Sequence, residues 1–256
     1  MSVFVAGAIA ALAVMGATWL ISLPTKDASL ADIAWGLTFV GVAWAVFAAG
    51  DRSGPSLLVA ALVSVWGLRL SGYLAWRNLG HGEDRRYQAM RAKRPSTFWI
   101  WSLVGVFVLQ AAIAWVVSLP VQSLAARTDG LGVISLIGVA GFVVGIAFEA
   151  IGDAQLAAFK RDPSSKGKVM DRGLWRYTRH PNYFGDAVVW WSLWLTAIGA
   201  GAGWWTLIGP ALMTLFLVRV SGASLLESDI SQRRPGYEEY IRRTSGFIPL
   251  PPRKGS

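Results

Sequence analysis

Apolar residues come in long unbroken blocks along this chain, and polar residues gather between them. A helix needs about 20 apolar residues to cross a bilayer. Seven blocks approach that length: residues 3–23, 28–49, 55–76, 98–119, 131–152, 185–200 and 204–222. The sixth is the shortest, and the seventh follows it so closely that the two predict a tight hairpin. No basic stretch precedes the first block, so it is expected to stay in place as a helix. No internal repeat and no Gly/Ser linker divides the chain. The pattern predicts an all-α, polytopic membrane protein with about seven transmembrane helices, forming a single membrane domain over 1–256. Within it, 1–130 would hold the substrate-side helices and 131–256 the cofactor site.

The charges fall between the blocks unevenly. With seven helices and the N-terminus outside, twenty of the 24 Lys and Arg residues lie in the inside segments. Two, Arg52 and Arg127, lie outside. This bias orients the chain with its C-terminus cytoplasmic, as expected of a multi-pass protein of a bacterial inner membrane. Composition agrees. Only 15% of residues are charged, against about a quarter in soluble domains. Fourteen tryptophans suit a membrane–water interface. The net charge of +9 then points to anionic lipid or a phosphorylated cofactor rather than nucleic acid. No cysteine is present, which removes disulfide and thiolate chemistry. His81 and His180 are too few for a typical zinc site, so no metal is expected.

Ionisable groups inside spans are costly, about 2.5–3.5 kcal/mol each on insertion scales, and so mark function. The candidates are Asp32, Arg69, Glu149, Asp186, Arg219 and Glu227, with Asp153 just beyond the fifth span. Asp32 reads either as an acid favoured by a helix N-terminus or as a proton donor. Arg69 shares a helix face with Tyr73 and either snorkels or supports catalysis. Glu149 and Asp153 lie four apart on one face, and Lys160 joins them if the helix continues. That stripe is either solvated or suited to ribose hydroxyls and phosphates, with Lys168 nearby.

The densest polar cluster runs from Gly173 to Asp186. It holds Trp175, Arg176, Arg179, His180, Asn182 and Tyr183, and it leads into an apolar helix with Asp186 expected in the first turn. Arg, His and Asn before a helix N-terminus suit an anion site. The competing reading is surface anchoring by Trp175, Arg176 and Tyr177, which leaves Asp186 unexplained. No Gly-x-Gly-x-x-Gly or Walker loop is present, so any nucleotide would lie between helices.

This cluster, with Glu149, Asp153 and Lys160 upstream and Pro235-Gly236-Tyr237-Glu238-Glu239-Tyr240 downstream, resembles the steroid 5-alpha-reductase C-terminal family. More narrowly, it is similar to that family's bacterial DUF1295 branch. The likeness covers the last 110 residues well, and the first half through Asp32–Gly36 and Trp66–Leu70. It implies a seven-helix reductase that uses NADPH on a carbon–carbon double bond, enone-type, in a lipid or steroid-like substrate. Glu149, Asp153, Lys160 and Lys168 would then hold the nucleotide with Arg179, His180, Asn182 and Asp186. Asp32 would stand for the family's catalytic Glu. Trp66 takes the place of the family's Tyr, so the phenol would come from Tyr73 or Tyr183, with Arg69 in support. The Arg179-His180-Pro181-x-Tyr183-x-Gly185 pattern is also similar to isoprenylcysteine carboxyl and phospholipid N-methyltransferases, which use S-adenosylmethionine. A third expectation is a non-catalytic membrane protein.

Overall fold

The computed structural model describes residues 1–127, 130–220 and 236–253. Glu227 lies outside these residues, as do Arg233, Arg234 and Lys254. The fold is all-α. Five helices are long and apolar enough to cross a membrane: α1 (Val3–Thr25), α2 (Leu30–Ala49), α3 (Gly54–Asn78), α5 (Phe98–Val117) and α7 (Val133–Arg161). Three short helices lie between and after them: α4 (Arg85–Ala92), α6 (Leu119–Leu124) and α10 (Tyr237–Arg243). The two remaining expected spans are α8 (Pro181–Gly199) and α9 (Trp204–Arg219). α8 carries Asn182, Tyr183 and Asp186 in its first two turns, and the described part of α9 is apolar but shorter than a span.

Two compact units are distinguished. The first comprises Met1–Ser135 and Thr196–Gly209. Its core is α2 packed on α1 and α3, with Met15, Phe39, Val42, Val59, Val63 and Trp66 buried. α2 and α3 touch backbone to backbone. A Cβ on Gly36 would lie 2.3 Å from the carbonyl oxygen of Gly67. Ser71 Oγ accepts from the Leu37 amide at this crossing. Outward positions stay apolar, including Ile9 at 54% exposure and Val104 at 64%. An apolar exterior over a packed interior is what lipid solvent requires. α5 contains a π-helical stretch, Leu103–Val108.

The second unit comprises Leu136–Leu195 and Pro210–Ser256. Here α7 and α8 approach closely along glycines. A Cβ on Gly185 would meet the amide nitrogen of Glu149 at 2.5 Å and the carbonyl oxygen of Gly145 at 2.7 Å. Small residues permit such contact in membrane helices, where van der Waals packing drives association.

Candidate functional site

The helix that carries the polar cluster starts earlier than its hydrophobicity suggests. α8 begins at Pro181, which is suited to a first helical position because it lacks an N–H. Asp186 therefore sits in the second turn rather than the first, and it is buried. α7 continues to Arg161, so the face carrying Glu149 and Asp153 does extend to Lys160. Glu149 and Asp153 are 2% and 4% exposed, while Lys160 at the helix end is exposed.

The Gly145–Gly185 contact brings these faces together. Asn182 Nδ2 donates to Asp153 Oδ1 at 3.1 Å. Glu149 and Asp153 on α7, Asp186 on α8 and His180 just before α8 are thus four buried polar groups at the touching helices. The His180 ring stacks on Tyr183, with centroids 5.5 Å apart and planes 9° from parallel. Lys168 lies exposed in the connection from α7 to α8, as do Arg172 and Arg176.

That connection is pinned from both sides. Trp175 is buried and donates its indole N–H to the Gly152 carbonyl at 3.0 Å. This replaces the surface-anchor reading for Trp175: it fastens the loop to α7. Gly173 adopts φ +57°, and Gln155 Oε1 accepts from the next amide, Leu174. On the other side lies the C-terminal segment. Arg179 Nη1 donates to the carbonyls of Ile241 and Thr244 at 3.1 and 2.7 Å. Thr178 Oγ1 donates to Phe247 O, the Leu250 amide donates to Tyr177 O, and Tyr240 Oη donates to Trp175 O. Arg243 pairs with Asp171. Burial first, then the Tyr237 phenol beside it, pushes the Tyr240 phenol well above its ordinary value.

The other four expected residues divide differently. Tyr183 belongs to the second unit, beside His180. Asp32, Arg69 and Tyr73 belong to the first. Arg69 is partly buried on α3. Tyr73 lies against Trp76, with Arg77 over its ring. Trp66, at the position the resemblance gives to a Tyr, is wholly buried and meets Phe39 edge to face at 5.3 Å. It is a core residue.

Asp32 sits in the first turn of α2, and its partners come from α4. Tyr87 Oη donates to Asp32 Oδ1 at 2.7 Å, and Arg86 Nη2 donates to Oδ2 at 2.7 Å. Gln110 Nε2 on α5 points a longer contact, 3.4 Å, at the same phenol oxygen. Burial, followed by the adjacent Asp32 charge, holds the Tyr87 phenol far above its usual value, so it stays a donor. Sequence reading missed Tyr87, Arg86 and Gln110. The first two sit 55 and 54 residues from Asp32 in a segment whose basic residues read as a plain loop. The tyrosine among those arginines was the available signal.

The chain matches the family described as protein of unknown function (DUF1295) over residues 18–244. It belongs to the DUF1295 family. A relative of this DUF1295 chain is uncharacterized protein C594.04c of Schizosaccharomyces pombe. It is 24% identical over 278 residues, covering 96% of this chain and 79% of the relative. No solved structure matches.

Proposed function

We propose that this protein is an NADPH-dependent membrane reductase of a carbon–carbon double bond in a lipid or steroid-like molecule. One observation carries the reading: four buried polar groups, Glu149, Asp153, His180 and Asp186, converge where α7 and α8 touch, next to an exposed basic connection. Burying that much polarity in a membrane fold is costly, so it marks a site that handles a polar molecule.

The donor set suits a dinucleotide. Carboxylates accept from ribose hydroxyls and an adenine amine, and cations offset phosphates. Glu149 and Asp153 would take the hydroxyls, with Asn182 positioned by its bond to Asp153. Lys160, Lys168, Arg172 and Arg176 would face the phosphates. Arg179 has a structural part as well: its Nη1 is bonded to the carbonyls of Ile241 and Thr244, so it holds the loop that carries the cluster. When bound, the nicotinamide supplies hydride. The chain's own part is to exclude water and deliver a proton. Tyr183 and the His180 ring stacked on it would supply the proton, and a phenol or imidazole hydrogen bond to a developing enolate oxygen would lower the barrier.

A second reading rests on the same acids. Three buried carboxylates also complement a sulfonium, which favours S-adenosylmethionine and methyl transfer. Thermal unfolding of the detergent-purified protein with NADPH, NADH and S-adenosylmethionine separates the two. A ligand at a hundred times its dissociation constant adds about 2.7 kcal/mol. Stabilisation by NADPH is expected. Stabilisation by S-adenosylmethionine alone sinks the reductase, and none from any ligand sinks both. Asp153→Ala should abolish the NADPH effect.

A further inference from the structure

α3 and α5 are each long and apolar enough to cross a membrane, which would set the segment joining them, residues 79–97, at one membrane surface. Exposed aromatic and aliphatic side chains bracket it. Trp76 precedes it, Leu79 begins it, and Trp99 and Ile100 follow it. Indole at such a level marks the headgroup boundary.

The charges within the segment do not cancel. Its two acids are already used. Glu83 takes the Arg91 guanidinium at 2.9 and 2.7 Å and also the Ala28 amide. Asp84 and Asp32 share Arg86. Among the described residues, three exposed cations have no carboxylate partner: Arg85, Lys93 and Arg94. Arg94 is held over the Trp101 ring at 4.5 Å, and Arg91 over Phe98 at 4.3 Å. These stacks tie the basic turn to the start of α5, beside the exposed Trp99. A cation stacked on an aromatic face keeps its N–H edges for an anion.

We propose that this segment binds the headgroup phosphate of an anionic glycerolipid through Arg85, Lys93 and Arg94. A net-negative headgroup satisfies three cations that pair with no acid among the described residues, while its acyl chains lie along the apolar faces of α3 and α5. A zwitterionic headgroup brings its own cation and meets repulsion. The site is independent of the cofactor reading, which concerns the second unit.

The test uses the full-length protein in detergent. It is offered phosphatidylglycerol and phosphatidylcholine of identical chains in equal amounts, and bound lipid is counted by native mass spectrometry. Phosphatidylglycerol should be preferred, and the preference should fall about fivefold for each cation removed. Arg85→Gln/Lys93→Gln/Arg94→Gln should bring the two lipids to parity, whereas Arg85→Lys/Arg94→Lys should keep the preference. Parity in the wild type, or an unchanged preference in the triple variant, overturns the proposal. A salt series on the wild type needs no variant: a preference that stays flat between about 50 and 500 mM is incompatible with it. Inorganic phosphate gives a further arm. If it displaces phosphatidylglycerol at millimolar concentration, the site is one for free anions and the lipid assignment fails.

Discussion

Tyr87 shows how much one side chain can organise. It is the buried residue of α4, and its hydroxyl meets an acid on α2 and an amide on α5. Tyr87→Phe removes a hydrogen bond to a charged acceptor and should cost about 1.5–3 kcal/mol in detergent unfolding, with the helical content of the folded state unchanged. The phenols of Tyr87 and Tyr240 are both raised by burial. A raised folded-state value means that stability is fully present below the unfolded value near 10 and is lost as pH climbs above it. Unfolding midpoints should therefore drop steeply above about pH 10. The Tyr87→Phe/Tyr240→Phe double variant should show a shallower fall, and an equally steep one would place the alkaline transition elsewhere. Arg179 teaches the opposite lesson. By type and position it reads as part of an anion site, and nothing in the sequence signals that its Nη1 also bonds backbone carbonyls 62 and 65 residues later. Residue type declares charge but not its destination.

At the scale of elements, the decisive contact is α7 against α8. Gly185 has no room for a methyl, because backbone atoms of Gly145 and Glu149 occupy it. Gly185→Ala should destabilise by about 1–3 kcal/mol and weaken NADPH binding by separating Asn182 from Asp153. Ligand titration of the variant checks this, and unaltered affinity would detach the cofactor reading from this crossing. The periodicity of α7 carried Glu149 and Asp153 onto one face legibly, because they lie four residues apart on one helix. The start of α8 was less legible. Asn182, Tyr183 and Asp186 dilute its apolar signal, and the boundary was set by Pro181. The Asp32–Tyr87 pair was not legible at all, since no local rule links residues 55 apart on a span and a basic connection.

For the molecule as a whole, the all-α membrane class followed from the apolar blocks alone, and five helices meet the length and composition of a span. The orientation remains a consequence of charge. The chain has no cysteine, so single introduced thiols report sidedness without background. Gly130→Cys should react with a membrane-impermeant maleimide in intact cells. Ser96→Cys should react only after permeabilisation. The reverse pattern would invert the topology and place the basic connections on the far side from cellular NADPH.

The bonds from Tyr177, Thr178 and Arg179 to the C-terminal segment have a consequence for biosynthesis. Membrane helices enter the bilayer as they are made, but the carbonyls of Ile241 and Thr244, which take the Arg179 guanidinium, are translated some sixty residues after it. The polar cluster therefore acquires its final shape only after residues 236–253 have left the ribosome. A chain interrupted before that point would insert its helices and still lack an ordered site. Assembly of the membrane fold and maturation of its chemistry are separate events in time.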